Sequence, residues 1–184
     1  MSNKYFYQCN YHFIPEQVKN DLLHLVKTSD NFYSNISPKG IHDGNNVLRV
    51  PLDSFPLIAR MAENCQFHTV PLLYKHMPHV EVPKHVDGLR FAVPRRTTLI
   101  IPLSPSKDYP PTYFWDSYES ETPADVIRVD ENMFPYVINT QEIHSLTNTS
   151  DEIRSNLQFS FNETLDQVVE QITNRTLFKG FTYE

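Results

Sequence analysis

Three side chains in this sequence are of the types that hold a catalytic metal. His85 and Asp87 stand two positions apart in Pro83-Lys84-His85-Val86-Asp87-Gly88, and His144 lies far downstream. Two imidazoles and one carboxylate form the donor set that binds ferrous iron on one face and leaves three coordination positions open. Arg154 follows ten positions after His144, a place from which its charge could hold an anionic co-substrate beside the metal. Alternation in a strand would send His85 and Asp87 to the same face and Val86 to the other. Gly88 would let the chain turn sharply after the motif.

Other readings of these residues compete. His76, His79 and His85 are close in sequence, and His79-Val80-Glu81 repeats the spaced His and carboxylate, so a cupin-like ligand set can be drawn from them. His79 follows Met77-Pro78 and Glu81 precedes Val82-Pro83, and prolines at that density oppose strand geometry. His79 and Glu81 are therefore expected in a loop near the mouth of the site. Arg154 could instead form a surface ion pair with Asp151 or Glu152, an interaction worth little. Arg90 and Arg95 read as a solvated basic rim. Arg96 begins an apolar strand and could point inward, toward a substrate carboxylate or the co-substrate. Phe159 and Trp115 are expected in the core.

The scaffold that must position these groups is mainly β. Short runs rich in β-branched and aromatic residues, punctuated by Pro, Asp and Asn, predict strands near 67–75, 84–87, 97–103, 112–115, 125–129, 136–139, 143–147 and 153–161. These make about eight, the strand number of a jelly roll. A helix is predicted from Pro15 through Val26, with Val18, Leu22, Leu25 and Val26 as its apolar stripe. A second runs from a cap at Asp53 or Ser54 to about Asn64, and a third from about Thr164 to Asn174. Residues 28–51 read as loop with at most short strands. The organisation expected is one domain over residues 1–184: helical and loop support over 1–65, a core of 66–162, and a helix and tail over 163–184.

Composition removes several function classes. The 184 residues carry 16 Lys plus Arg against 22 Asp plus Glu, a net charge of −6. A broad surface for nucleic acid or anionic membrane is disfavoured on that balance. Four glycines are too few for a phosphate-cradling loop or a dinucleotide fingerprint. Cys9 and Cys65 form no paired motif and read as free thiols of a reducing compartment. With no apolar leader and no apolar run near membrane-spanning length, a cytoplasmic location is expected.

The pattern resembles the iron(II)- and 2-oxoglutarate-dependent dioxygenases, in particular their prolyl-hydroxylase-like branch, which includes small bacterial and phage members. The resemblance rests on Leu73-Tyr74, Pro83-x-His85-x-Asp87, the run from Arg96 to Ser104, Asn139-x-x-x-x-His144-Ser145-x-x-Asn148, and Arg154. It implies a double-stranded β-helix of the jelly-roll, cupin-like kind. It further implies Fe(II) on His85, Asp87 and His144, with 2-oxoglutarate held by Arg154 at its distal carboxylate and by Tyr74. O2 would be consumed, succinate and CO2 released, and a C–H bond of a small-molecule or peptide substrate oxidised. Two departures narrow the substrate. The nucleic-acid demethylases place a second arginine four positions after Arg-x-Asn, where Arg154-Ser155-Asn156 is followed by Ser160. Prolyl hydroxylases carry paired glycines in mid-barrel, where this chain has Tyr109 to Phe114, so peptidyl proline is not specified. A non-enzymatic, cupin-like binding module is the competing reading.

Overall fold

The computed structural model describes residues 3–37, 40–87, 95–104 and 109–181. The expected turn at Gly88 and the expected rim residue Arg90 lie outside them.

Two antiparallel sheets face each other. The larger contains seven strands in the order β1-β9-β6-β11-β4-β3-β2. In chain order these are β1 (Phe6–Gln8), β2 (Tyr33–Ser37), β3 (Gly40–Arg49), β4 (Pro71–His76), β6 (Thr97–Pro102), β9 (Tyr136–Asn139) and β11 (Arg154–Phe161). The smaller sheet has the order β5-β10-β7-β8, from β5 (Glu81–His85), β7 (Thr112–Trp115), β8 (Asp125–Ile127) and β10 (Ile143–Thr147). Strands far apart in sequence thus become neighbours, as closure of a double-stranded β-helix requires.

The larger sheet has two chemically different faces. One presents Leu73, Leu99, Ile101, Val137, Leu157, Phe159 and Phe161, which join one apolar cluster with residues of three helices. The helices are α1 (Glu16–Thr28), α2 (Pro56–Glu63) and α3 (Leu165–Thr173), and they contribute Leu22, Val26, Ile58, Met61, Val168 and Ile172. The other face carries the alternate residues Tyr74, His76, Arg154, Asn156 and Gln158 and looks toward the smaller sheet. Ile100, Tyr136 and Ile138 of that face cluster with Phe114 and Ile127 from β7 and β8, which closes one end of the space between the sheets.

The N-terminal third departs from expectation. Residues 28–51 hold β2 and the ten-residue β3, which extends the larger sheet beyond β4. Asn, Gly and Ser in this stretch read as loop formers, yet pairing to an existing strand edge overrides that propensity. The division expected at residue 65 therefore does not follow the sheet, since β1, β2 and β3 all belong to it. Eleven strands stand among the described residues rather than eight.

The helix ends also differ. Asp53 and Ser54 fall in a 3-10 turn, Leu52–Ser54, and α2 starts instead with Pro56 at a first-turn position where its missing N–H costs nothing. Thr164 does cap α3, in a reciprocal box with Gln167. Trp115 is not in the core. It is half-buried on the outer face of β7, where its indole N–H donates to Ser145 Oγ at 2.9 Å and Lys84 Nζ lies 3.9 Å over its ring.

Both cysteines are free. Burial pushes the Cys9 thiol up to about 12 and the Cys65 thiol up to about 11, so little of either is thiolate at about pH 8. A disulfide-exchange reagent at that pH is expected to modify neither quickly in the folded protein and both after denaturation. Fast labelling of Cys9 in the folded state would contradict this packing.

Candidate active site

His144 is brought to His85 by strand pairing. β10 lies between β5 and β7, with His144 opposite His85 on one side and opposite Phe114 on the other. The β5 pairing contains a bulge, since Leu146 pairs with Val82 while His144 pairs with His85. That leaves Pro83 and Lys84 opposite Ser145. A proline is tolerated here because β5 is the edge strand of its sheet and the bulge needs no ladder donor. Glu81, expected in a loop, accordingly opens a strand.

Asp87 lies just past the end of β5, so strand alternation does not aim it. Its N–H donates to the Thr140 carbonyl at 2.9 Å, which anchors the residue from the far side of the site. The ligand atoms of His85, Asp87 and His144 all lie within 4.8 Å of one another. Among the described residues no other three metal-binding side chains come together in this way. His85 Nδ1 faces the Pro83 carbonyl at 2.8 Å, and His144 Nδ1 faces the Glu142 carbonyl at 2.9 Å. A carbonyl can only accept, so each Nδ1 carries the proton and each Nε2 presents its lone pair. Two oriented imidazoles and a carboxylate fit a divalent metal of the ferrous kind.

Arg154 is buried, at 3% exposure, and is no surface ion pair. It stands at the start of β11, opposite His76. Its Nη2 donates to the Tyr136 hydroxyl at 3.1 Å, and its guanidinium lies 4.3 Å from the centre of the Tyr109 ring. Nε and Nη1 have no hydrogen-bond partner among the described residues. A buried guanidinium stays charged, and leaving its N–H groups unpaired costs several kcal/mol. Unpaired donors of this kind can take an anion.

The remaining expected residues divide. Tyr74 lies on the inward face of β4, and its hydroxyl accepts from Arg95 Nη1 at 3.1 Å. Arg95, read from the sequence as rim, is thus the arginine beside Tyr74. Arg96, expected to point inward, is exposed and lines a separate pocket of about 230 Å³ with Asn139, Gln141, Thr164 and Leu165. Alternation failed for this pair because both residues precede the first paired residue of β6, Thr97. Lys84, inside the metal motif, turns away from it, its Nζ donating to the carbonyls of Tyr118 and Ser120.

The cupin-like alternative is not assembled. His79 sits in a turn with φ of 58° and faces Asp151 at 3.0 Å on the surface, away from His85. His76 is buried on the inward face of β4, its ring nearly parallel to that of Tyr74 at 6.1 Å. Burial, and then the neighbouring Arg154 charge, hold its pKa well below the usual histidine value. His76 is therefore a neutral ring at neutral pH.

Asn148 supplies a positioning role that the sequence alone does not assign. Fully buried, its Nδ2 donates to the carbonyls of His76, Met77 and Glu152 at 3.2, 2.9 and 2.9 Å. It ties the turn between β10 and β11 to the end of β4, and so fixes His144 and Arg154 relative to each other.

No family model matches this sequence, and no curated protein is significantly similar to it. Solved structures are similar in shape. An oxidoreductase of the 2OG-Fe(II) oxygenase family from Burkholderia pseudomallei aligns with a TM-score of 0.61 at 11% identity, over 85% of this chain and 84% of that one. The fold is that of the 2OG-Fe(II) oxygenases. A Trichoplax adhaerens prolyl hydroxylase in complex with a hypoxia inducible factor peptide fragment aligns at 0.58 and 11% identity, over 85% of this chain and 83% of that one. HygX from Streptomyces hygroscopicus, with nickel, 2-oxoglutarate and hygromycin B bound, aligns at 0.52 and 10% identity, over 85% and 82%. At these identities the likeness is one of fold, and the chemistry of this chain rests on its own residues.

Replacing Asn148 by Ala should lower stability by at least about 1–3 kcal/mol, because buried carbonyls lose their donor. Urea denaturation measures this, and a change within experimental scatter would show that the amide does not hold the two turns.

Proposed function

We propose that this chain is an Fe(II)- and 2-oxoglutarate-dependent oxygenase. The observation that carries the reading is the pairing of two unlike sites between the same sheets. One is the cluster of His85, Asp87 and His144 within 4.8 Å, and the other is the buried, incompletely partnered Arg154. A metal-binding module has no need of the second. The overall reaction is then substrate–H, 2-oxoglutarate and O2 giving substrate–OH, succinate and CO2.

Iron, when bound by the triad, would supply the activation of O2 and the oxidation of the substrate C–H bond. The chain's own contribution is placement. The Pro83 and Glu142 carbonyls keep the Nε2 lone pairs of His85 and His144 aimed at one point. Arg154 would take the distal carboxylate of 2-oxoglutarate, the fork of its donors matching two carboxylate oxygens. Tyr74, with Arg95 donating to its hydroxyl, would border the co-substrate nearer the metal. The exposed Arg96 has no part in this arrangement. The primary substrate is proposed to be a small molecule or a peptide, in keeping with the hygromycin B and peptide fragment bound by proteins of the same fold.

Anaerobic addition of Fe(II) and 2-oxoglutarate is expected to produce a visible charge-transfer band that Asp87→Ala abolishes. No band from fully loaded wild type would sink the proposal, and a band without O2-dependent succinate release would mark a binding module instead. A separate outcome is expected for Arg154→Leu. Its affinity for 2-oxoglutarate should fall about 10- to 100-fold or more, as for loss of charged hydrogen bonds, while Mn(II) binding followed by electron paramagnetic resonance stays within about twofold. Equal loss of both would show general collapse of the site.

A further inference from the structure

Arg154 is one member of a polar row that crosses three strands. Asn45 of β3, His76 of β4 and Arg154 of β11 are successive cross-strand partners. All three are at least nine-tenths buried, with exposures of 4, 4 and 3%. Each has a polar atom with no partner among the described residues: Asn45 Oδ1, His76 Nδ1, and Arg154 Nε and Nη1. The Tyr109 hydroxyl, on the ring that lies against Arg154, is buried with no well-formed hydrogen bond, close enough to the guanidinium to favour its charge.

The donor types in this row are informative. Arg154 Nε and Nη1, the Tyr109 hydroxyl and a protonated His76 Nδ1 make four donor atoms, and an ionised carboxylate offers about four lone-pair positions. Asn45 Oδ1 is an acceptor and has no part in holding an anion. We propose that His76 is a specificity-determining residue for the co-substrate, donating from Nδ1 to the carboxylate that Arg154 binds. The near-parallel packing on Tyr74 sets the plane of the imidazole, so the donor is held in place before the ligand arrives. This rests on the functional reading above and adds to it the second side chain that recognises the distal carboxylate.

The test is direct binding to the Mn(II)-loaded, non-reacting protein by calorimetry, with 2-oxoglutarate and with 2-oxobutyrate, which lacks the distal carboxylate. His76→Leu is expected to weaken 2-oxoglutarate about 10- to 100-fold and to leave 2-oxobutyrate within about twofold. His76→Asn places an amide where Nδ1 stands and should recover most of the affinity. His76→Gln places its amide farther out and should not, and this pair serves if the Leu variant does not fold. Equal affinity of wild type and all His76 variants for 2-oxoglutarate would overturn the proposal while leaving the oxygenase reading standing. Equal weakening of both acids would likewise overturn it, as a structural role. Failure of wild type to bind 2-oxoglutarate at all would remove both.

Discussion

The register of β10 is the constraint from which the site follows. A strand's side chains alternate with period two, so a slip of one residue would turn His144 away from the space between the sheets and Ser145 into it. β10 is held against such a slip from both sides, by β5 and by β7. Its ends are held too. Asn148 N–H donates to the Val80 carbonyl, and Thr140, fully buried, accepts from Asp87 N–H through its carbonyl while its hydroxyl donates to the Arg95 carbonyl. One short strand and its flanks therefore set His144, Asp87 and Arg95 together, and the bulge at Pro83 absorbs the mismatch on the β5 side.

The second governing fact is that the larger sheet is built with its polar face inward. Along β11, Leu157, Phe159 and Phe161 pack toward the helices, while Arg154, Asn156, Gln158 and Ser160 look toward the smaller sheet. Burying so many polar groups between two sheets opposes folding unless they are satisfied. Part of the need is met internally, through Gln158 to Asn156 and Ser160 to Thr98. The remainder gathers around Arg154 and His76, outside the apolar cluster that Phe114 and Tyr136 form between the sheets. The helices thus provide the stability that a polar interior cannot, and the interior is left to recognition.

Much of this was legible in the sequence because the informative residues are of rare types at short spacing. His85, His144 and Arg154 are placed by strands that the sequence marks from Pro71 onward, and Asp87 lies just past the end of one of them. The reading failed where tertiary pairing outweighs local preference. Nothing in Gly40–Arg49, with its Asn and Gly, indicates a ten-residue strand until β4 offers an edge. Arg95 rather than Arg96 turns toward Tyr74, because alternation has no meaning before the first ladder pair. His76 reads from the sequence only as part of a cluster with His79 and His85, and its place beside Arg154 appears only when β11 pairs with β4. Asn148 was part of the matching pattern, but its three carbonyl partners come from two segments far apart in sequence, His76-Met77 and Glu152.

Charge favours filling this pocket with a dication and a doubly anionic ligand together. Of the groups named around it, Asp87 carries one negative charge and Arg95 and Arg154 one positive charge each, while His76 is neutral. A dication at the triad adds to an already positive enclosure, where low dielectric magnifies repulsion. A ligand with two carboxylates, one near the metal and one at Arg154, opposes that excess at both ends. Tyr74 and His76, two residues apart on β4 with rings 6.1 Å apart, join the two ends physically: Tyr74 accepts from Arg95, and His76 lies beside Arg154. Substitutions at the two ends should therefore couple rather than add, because each alters the strand through which the other is held.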